Sequence, residues 1–461
     1  MINNKDTIAA ISTPPGQGGI GIVRMSGEKS IDIADKIFCS LKEKNLASCK
    51  SHTVHYGHIK ERVSGEVIDE VLVTIMKAPA TYTSENIVEI NCHGGDIPLR
   101  RVLGSCLDQG ARLADPGEFT KRAFLNGRID LTQAEAVLDI IKSETDSAMK
   151  AAIDQLRGGF SNEVARIRQL LINIIALVEL TIDFSQEDVE FSSQEKILTD
   201  ISDIKQILLK LIETAQKGMV LREGANVVIC GRPNVGKSSL MNALLGHDRV
   251  IVTPLAGTTR DIIEESIVVS GIKIRLFDTA GIIETKDRVE LEGIKRSKQK
   301  LAEADMVIFL VDASKSLSRK DIEIYETVKD RCCIVVVNKT DLPSKIKLKE
   351  LREKFKQDIL KISALKKRGL DKLEDKISEK LLGDEINLPQ GIIVTNIRHK
   401  RFLETAVKSI ERAMVSSGQK FSAEFISSDL NDAAYQLGMI IGESIDDDIL
   451  DNIFSKFCIG K

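Results

Sequence analysis

The chain has 461 residues, of which 43% are hydrophobic and 29% are charged, a composition typical of a globular protein of about two to four domains. The net charge of −3 gives no sign of a dominant nucleic-acid or acidic-lipid surface. Met1–Ala10 lacks the apolar core of a signal peptide, and the most apolar stretch, Leu170–Val178, is too short to span a bilayer. The eight cysteines form no CxxC pair, so we expect reduced thiols in a cytoplasmic protein outside the membrane.

The first segment, to about Phe119, predicts an α/β or α+β domain. Apolar runs bounded by turn residues are typical of strands. We place such strands at Thr7–Ser12, Ile20–Met25, Val67–Ile75 and Ile87–Cys92.

Two patterns in this segment suggest other sites, and the residues argue against both. Gly16-x-Gly18-x-x-Gly21 matches the dinucleotide fingerprint, but the next segment is strand-like, where that fingerprint requires a helix. His52, His55 and His58 are spaced by three, which on a strand alternates their faces and disfavours a metal cluster.

The rest of the chain changes from helical to α/β and back to helical. Apolar stripes at helical spacing run from Leu131 to about Lys217. From Ala225 to about Leu382, strands alternate with amphipathic helices, which predicts a parallel doubly wound sheet. The segment Gly391–Lys461 is helical and short for a core of its own, so we expect it to pack on the earlier helices, with the α/β domain inserted between them.

A phosphate-binding loop opens the α/β region. The apolar strand Ala225–Cys230 is followed by Gly231–Ser238, which reads GRPNVGKS and precedes a helix. This is GxxxxGK[ST] in the strand–loop–helix context that it requires. Backbone N–H groups of the loop converge on phosphates, Lys237 adds a cation for the β/γ oxygens, and the Ser238 hydroxyl can ligate Mg²⁺.

Three further motifs, each at a strand end, identify the nucleotide as GTP. Asp278-Thr-Ala-Gly281 supplies a carboxylate for the Mg²⁺ shell and an N–H for the γ-phosphate. In Asn338-Lys339-Thr-Asp341 the Asp341 carboxylate can accept from guanine N1–H and the exocyclic amine, donors that adenine lacks at those positions. Ser363-Ala364 fits the loop that meets guanine O6.

The segment between these motifs predicts a switch but leaves the attacking water without an obvious partner. Gly257-Thr258-Thr259-Arg260-Asp261 can complete the Mg²⁺ shell when the γ-phosphate is present. Ile282 occupies the position of the water-orienting glutamine of Ras-like enzymes, and isoleucine cannot take that role. Glu290 is a candidate, although spacing alone favours a solvated acidic residue there.

Beyond these motifs, the chain resembles the MnmE (TrmE) family of tRNA-modification GTPases over nearly its whole length. The residues that carry the resemblance are Thr13-Pro-Pro-Gly16-Gln-Gly18-Gly19-Ile-Gly21-Ile-Val-Arg24, Ala78-Pro79, Tyr82-Thr83-Ser84-Glu85, His93-Gly94-Gly95, Pro116-Gly-Glu-Phe-Thr-Lys-Arg122, the phosphate loop to Ser239, and Phe457-Cys458-Ile-Gly-Lys461. Gln17 and Ile283 stand where family members often carry a basic residue, so a switch II arginine contact is doubtful.

The resemblance implies a multidomain α/β and α protein. Its parts would be an N-terminal α/β folate-binding and dimerisation domain (1–120), a helical domain (121–217 and 384–461) and an inserted Ras-like P-loop G domain (218–383). It implies a homodimer that forms a heterotetramer with an FAD-containing partner. Together they would install an aminomethyl or carboxymethylaminomethyl group on the wobble uridine of certain tRNAs, with a tetrahydrofolate one-carbon donor and K⁺-stimulated GTP hydrolysis.

The resemblance also implies residue roles. Arg24, Glu85, Arg128 and Lys461 would contact 5-formyl-tetrahydrofolate; Asn234, Thr253, Leu255 and Thr258 would ligate K⁺; Ser238 and Thr259 would ligate Mg²⁺; Lys237 and Glu290 would be catalytic. The predicted GTP contacts are Asn234, Val235, Gly236, Lys237, Ser238, Ser239, Thr253, Pro254, Leu255, Ala256, Gly257, Thr258, Thr259, Asp278, Thr279, Ala280, Gly281, Asn338, Lys339, Asp341, Ser363, Ala364 and Leu365.

Other interpretations stay open at this point. Cys458 is either a functional thiol near the folate or an idle residue of a chain terminus. The protein could instead be a GTP-dependent assembly switch for ribosomes or RNA, or a folate one-carbon transferase that GTP merely regulates.

Overall fold

A computed structural model describes residues 6–40, 45–61, 64–183, 194–246, 265–278, 301–383, 392–419, 422–443 and 447–461. The chain forms two compact units. Unit 1 comprises Met1–Leu138, Leu156–Gln169 and Ala434–Lys461, and unit 2 comprises Asp139–Gln155 and Leu170–Ala433. Within the described ranges, no helix combines the length and the apolar character that a bilayer crossing requires.

In unit 1, a mostly antiparallel sheet is packed against helices. Its described strands are β1 (Ile8–Ile11), β2 (Ile20–Ser26), β3 (Phe38–Ser40), β4 (Thr53–Lys60), β5 (Val67–Met76), β6 (Ile87–His93) and β7 (Arg112–Leu113), in the order β3-β4-β5-β6-β2-β1-β7. Only the β1–β7 pair, among these described pairs, is parallel. The four predicted strands of this segment are confirmed, and Gly21, the last glycine of the Gly16–Gly21 pattern, lies within strand β2 where a dinucleotide fingerprint requires a helix.

The core of unit 1 lies on one face of this sheet. Residues that alternate along the strands, such as Val71, Val73 and Ile75 of β5, are buried beneath helices α1 (Ser30–Ile37) and α2 (Asp96–Asp108). A second cluster joins α3 (Glu118–Leu125) and α4 (Leu131–Lys142) to the C-terminal helix α14 (Asp447–Phe454). The end of the chain is therefore part of the unit that contains the first strands.

Unit 2 contains the predicted doubly wound sheet, with one difference. Its described strands are β8 (Ala225–Cys230), β9 (Glu265–Val269), β10 (Ile272–Asp278), β11 (Met306–Asp312), β12 (Cys333–Asn338) and β13 (Asp358–Lys361), in the order β13-β12-β11-β8-β10-β9. The sheet is not wholly parallel, because β9 pairs antiparallel with β10 at the edge. Only two residues, Ser270 and Gly271, connect these strands, and so short a connection permits only a hairpin.

Helices cover both faces of this sheet, which explains why its central strands are apolar throughout. Every residue of β11 and of β12 is buried. Leu310 belongs to the cluster on one face and Phe309 to the cluster on the other. The helices of the α/β region are α8 (Lys237–Leu245), α9 (Arg319–Val328), α10 (Leu348–Lys354) and α11 (Leu370–Leu382).

Further helices lie wholly or partly in unit 2. They are α5 (Asp146–Leu156), α6 (Gly159–Asp183), α7 (Gln194–Glu223), α12 (Ile397–Gly418) and α13 (Ala423–Ile441). Helix α12 packs along α7, and the segment before it is bound to α7 by a hydrogen bond of 3.0 Å from Val394 N to Thr214 Oγ1. A segment that follows the sheet in sequence therefore packs on a helix that precedes it.

The closest approach in this packing gives a testable prediction. A Cβ at Gly218 would lie 2.2 Å from the carbonyl oxygen of Val394, so no side chain fits there. We expect Gly218→Ala to displace α12 and destabilise its packing by about 1–3 kcal/mol. The measurement is hydrogen exchange of residues 397–418, followed by mass spectrometry.

The matched control is Gly104→Ala. Gly104 lies within α2, and a Cβ there would meet no atom within 4 Å. We expect this variant to be neutral or stabilised by up to about 1 kcal/mol, since alanine favours helix. Unchanged protection of α12 in Gly218→Ala would contradict the packing described above.

Candidate functional sites

Three predicted motifs of unit 2 meet at one edge of its sheet. Strand β8 ends at Cys230, β10 at Asp278 and β12 at Asn338, and parallel strands present these ends at the same edge. The cavity there has a volume of about 490 Å³, which is within the usual range for a small-molecule site. Its lining residues are Pro233, Asn234, Gly236, Lys237, Ser238, Ser239, Asp278 and Lys339.

The phosphate loop has the conformation that anion binding requires. Asn234 and Gly236 adopt positive φ angles of 64° and 99°, and α8 starts immediately afterwards at Lys237. The first N–H groups of the helix therefore face the cavity. The buried Lys237 directs its Nζ along the loop and donates to the carbonyl oxygens of Gly231 at 3.2 Å and Arg232 at 3.3 Å.

Two residues predicted for the Mg²⁺ shell, Ser238 and Asp278, lie together at the mouth of this loop, whereas the third, Thr259, lies outside the described residues. Ser238 Oγ donates to Asp278 Oδ2 at 3.0 Å. The other carboxylate oxygen, Asp278 Oδ1, is buried and has no hydrogen-bond partner among the described residues. A hydroxyl next to a carboxylate that has one oxygen without a hydrogen bond is a set of oxygen ligands that fits a small divalent cation.

Asn338 connects the phosphate loop to the loop that follows β13. Its Nδ2 donates to Val235 O at 3.0 Å, and its Oδ1 accepts from Ala364 N at 3.0 Å. A Cβ at Gly236 would lie 2.4 Å from that Nδ2, so only glycine fits beside the amide. This buried side chain therefore fixes the distance between two motifs that are far apart in sequence.

Lys339 connects the phosphate loop to strand β11 through its side chain. Its backbone has a φ of 62°, and its Nζ donates to Asn234 O at 2.7 Å and to Asp312 Oδ2 at 2.7 Å. Burial by itself raises the pKa of Asp312, but hydrogen bonds from Lys339 and Ser314 outweigh burial and lower it. Asp312 is thus a charged anchor for Lys339, and the sequence interpretation did not identify it.

Asp341, predicted to select guanine, presents an exposed carboxylate that is bound at one oxygen. The Ser363 hydroxyl donates to Asp341 Oδ1 at 2.6 Å and is the main cause of a lowered pKa for this carboxyl. The side chain is otherwise exposed, as is Leu365, whereas Ser363 and Ala364 are buried. An ionised carboxylate fixed at one oxygen and open at the other is the acceptor that guanine N1–H and its amine require.

Several predicted residues lie outside the described residues. They are Thr253, Pro254, Leu255, Ala256, Gly257, Thr258, Thr259, Thr279, Ala280, Gly281, Ile282, Ile283 and Glu290. One contact of the phosphate loop was missed: Arg232 Nε donates to Asp321 Oδ1 at 2.6 Å, and Asp321 also caps α9 together with Ser318. Arg232 is part of the loop motif, but no sequence signal could identify a partner so distant in the chain.

Unit 1 brings the four predicted folate residues to one region. Arg24 lies on β2 directly opposite Glu89 of β6, and its Nη2 is 2.7 Å from Glu89 Oε1. The Arg24 guanidinium also lies 5.7 Å from the Phe119 ring centre and 5.9 Å from that of Tyr82. Glu89 was missed because strand register cannot be read from one sequence.

Glu85 is held in a loop of unusual backbone conformation. Ser84, immediately before it, has a φ of 61°, which is uncommon for a non-glycine residue and is often a feature of functional sites. Ser26 Oγ donates to Glu85 Oε2 at 2.6 Å, and Arg122 Nη1 lies 3.3 Å from both carboxylate oxygens.

Arg122 is the centre of a buried ion cluster. Its side chain is 1% exposed and contacts the carboxylates of Asp6, Glu85 and Glu118. Burial by itself raises the pKa values of Asp6 and Glu118, but hydrogen bonds from Arg112 and Arg122 outweigh burial and lower both. Breaking such a cluster leaves uncompensated buried charge, so Arg122 is a structural support for Glu85.

The C-terminal residues lie beside the same group. Gly460 O accepts from Ser12 Oγ at 3.1 Å and from Arg24 Nη1 at 3.4 Å. Burial, and secondarily the charge of Arg24, lowers the pKa of Lys461. Cys458 is exposed, and its carbonyl oxygen accepts from Gly117 N at 3.4 Å. Arg128, also exposed, lies over the Tyr82 ring at 5.0 Å from its centre.

Two family descriptions match the sequence. "GTP-binding protein TrmE N-terminus" matches residues 7–128, and "MnmE helical domain" matches residues 131–458. The chain is similar to "tRNA modification GTPase MnmE" of Alkaliphilus oremlandii, with 46% identity over 99% of each chain. It is similarly 48% identical to the protein of that name from Thermoanaerobacter pseudethanolicus, again over 99% of both.

Two solved structures are similar to part of the chain. Era of Aquifex aeolicus, bound to GDP and aluminium fluoride, is 34% identical over 40% of this chain and 66% of its own, with a TM-score of 0.30. The G domain of the T. maritima FeoB iron transporter is 26% identical over 34% of this chain and 98% of its own, with a TM-score of 0.28.

The Asp341 geometry gives a prediction about base selection. Asp341→Asn places an amide donor against guanine N1–H, so we expect GTP affinity to fall about 10- to 100-fold. Affinity for xanthosine triphosphate should rise, because its C2 carbonyl accepts from that amide. Calorimetric titration of both nucleotides measures the change. The control is Asp371→Asn, an exposed position in the first turn of α11, and unchanged GTP affinity in Asp341→Asn would contradict the assigned role.

Proposed function

The chain belongs to the MnmE family of tRNA modification GTPases, and from this premise we propose a reaction for it. It is a GTP hydrolase that acts in tRNA modification. With an FAD-containing partner it forms the 5-(carboxymethyl)aminomethyl group on the wobble uridine, position 34, of certain tRNAs. A tetrahydrofolate derivative is the one-carbon donor, and K⁺ stimulates the hydrolysis.

The observation that carries this proposal is the 46–48% identity to tRNA modification GTPases over 99% of the chain. Similarity confined to the α/β region would support only nucleotide hydrolysis. Both units are instead covered, including the residues of unit 1 that surround Arg24 and Glu85.

For hydrolysis, we assign Lys237 to the β/γ-phosphates and Ser238, with Thr259, to Mg²⁺. The support is the Ser238–Asp278 contact of 3.0 Å and the buried, unpartnered Asp278 Oδ1 among the described residues. The bound Mg²⁺ would neutralise charge on the phosphate oxygens. Glu290 orients the attacking water, since Ile282 cannot, and this assignment rests on the family resemblance.

For potassium, we assign Asn234 as a side-chain ligand, together with Thr253, Leu255 and Thr258. Asn234 has a left-handed backbone conformation, and Lys339 Nζ donates a hydrogen bond to its carbonyl oxygen. Both features support a fixed position for Asn234 within the phosphate loop. A fixed cation there supplies the positive charge that an arginine finger supplies in other GTPases.

For the folate, we assign Arg24, Glu85, Arg128 and Lys461 as contacts of 5-formyl-tetrahydrofolate. A carboxylate suits the amide and amine of the pterin, and the cations suit the glutamate tail. Cys458 is proposed as a functional thiol near this ligand, and its exposure and short path to Lys461 support that role.

For assembly, we propose a cytoplasmic homodimer formed by the N-terminal domain, which joins the FAD-containing partner as a heterotetramer. Tyr56 and Leu72 lie directly opposite each other on β4 and β5 and are 48% and 44% exposed, and Val54 beside them is 59% exposed. Such an apolar sheet face suits a second copy of the chain. The domain boundaries 1–120, 121–217, 218–383 and 384–461 belong to the same proposal.

A deletion strain tests the tRNA assignment. We expect loss of the modified wobble nucleoside, restoration by the wild-type chain and no restoration by Lys237→Ala, since that variant loses the phosphate-binding cation. Nucleoside mass spectrometry is the measurement. Lys372→Ala, an exposed lysine of α11, is the matched control and should restore the nucleoside. Unchanged wobble nucleosides in the deletion strain would reject the assignment and leave GTP hydrolysis standing.

Potassium dependence tests the cation assignment. GTP turnover by the purified protein should be about tenfold or more faster in KCl than in NaCl, the size of effect expected for one charge at the transition state. Asn234→Ala should abolish most of this difference. Asn242→Ala, which changes an exposed asparagine of α8, should retain it. Equal turnover of the wild-type protein in both salts would exclude a potassium role.

A further inference from the structure

We infer that Tyr82 is a positioning residue that fixes the Arg128 guanidinium for a carboxylate of the folate glutamate tail. This inference rests on the proposed folate function. Arg128 is an exposed, long side chain on the loop between α3 and α4, so by itself it would sample many rotamers. Among the described residues, the Arg128 guanidinium contacts the ring of Tyr82, whose centre lies 5.0 Å from Arg128 Cζ.

The chemistry of a ring contact differs from that of an ion pair. A guanidinium that lies over an aromatic ring is attracted through its flat face, and its N–H donors, which lie in the plane, remain available. An ion pair with a protein carboxylate would use those same donors. Arg24 illustrates the alternative, since its Nε and Nη2 are both engaged by Glu89 at 2.8 and 2.7 Å. No carboxylate of the described residues contacts the Arg128 guanidinium, so its donors are available to a carboxylate of the ligand.

The two carboxylates described above for this region are already engaged. Glu89 is paired with Arg24, and Glu85 accepts from Ser26 and faces the buried Arg122. A positively charged side chain with no protein carboxylate to bind is suited to an anionic ligand.

Tyr82 is rigid enough to serve as the support. Its hydroxyl is 2.9 Å from Thr120 Oγ1 of α3, and burial raises its pKa, so the phenol stays neutral. Asn126 Nδ2 donates at 2.7 Å to the carbonyl oxygen of Thr83, the residue that follows Tyr82 in the chain. Since Asn126 precedes Arg128 by two residues, the loop that holds the ring and the loop that carries the cation are fastened together.

The test is calorimetric binding of 5-formyl-tetrahydrofolate to the full-length protein. Tyr82→Phe keeps the ring and should bind within about twofold of wild type. Tyr82→Leu and Arg128→Ala should each bind about tenfold more weakly. Tyr82→Leu also removes a ring contact of Arg24, but the ion pair with Glu89 holds Arg24 independently. The double variant should therefore bind no more weakly than Arg128→Ala, because Tyr82 acts through Arg128.

A second ligand separates positioning from general damage to the site. The corresponding pteroate lacks the glutamate, so its affinity should be equal in wild type and Tyr82→Leu. A distorted pocket would weaken both ligands. Tyr435→Leu, an exposed tyrosine on the part of α13 in unit 1, is the control and should bind folate like wild type. Thermal unfolding midpoints confirm that each variant is folded.

The outcomes are distinguishable. If the wild-type protein binds folate and Tyr82→Leu binds it with the same affinity, this inference is overturned and the folate assignment remains intact. Additive losses in the double variant overturn it as well, because Tyr82 would then contact the ligand independently of Arg128. Absence of folate binding by the wild-type protein overturns both the inference and the folate assignment.

Discussion

The geometry of the nucleotide site depends on the side-chain amide of Asn338. Its Nδ2 donates to Val235 O of the phosphate loop, and its Oδ1 accepts from Ala364 N of the loop that follows β13, each at 3.0 Å. Because the amide is buried, loss of either bond would leave an unpaired polar group, so the two loops are held at a fixed separation. A single residue thus joins two motifs that are far apart in the sequence.

In unit 1, residues of helix α3 likewise hold side chains from other segments in place, and the central one is a charged arginine instead of an amide. Arg122 supports Glu85, Thr120 contacts the Tyr82 hydroxyl, and Phe119 lies beneath Arg24. Three residues of one short helix thus each contact a different side chain of the proposed folate site. The buried cluster around Arg122 is costly to desolvate, and removal of Arg122 would leave the Glu85 carboxylate without its paired cation.

Sequence reasoning predicted the elements whose signal is local and missed those that depend on distant partners. The strands at Ile8–Ile11, Ile20–Ser26 and Ala225–Cys230 are confirmed because apolar runs bounded by turns are local. The two-residue strand β7 carries too little pattern to detect, and the antiparallel edge strand β9 has the same composition as a parallel one. The pairs Arg24–Glu89 and Arg232–Asp321 follow from register and topology, which one sequence does not contain. Glu290 and switch I lie outside the described residues and stay predictions.

The distribution of the thiols has a practical consequence for spectroscopy. Burial raises the pKa values of Cys92, Cys106 and Cys333 to about 12, so at neutral pH these residues present almost no reactive thiolate. Of the eight cysteines, Cys39 and Cys458 are the exposed ones. Once Cys39 is replaced by serine, an alkylating fluorophore should react chiefly at Cys458, three residues from Lys461, where its emission would report on occupancy of the proposed folate site.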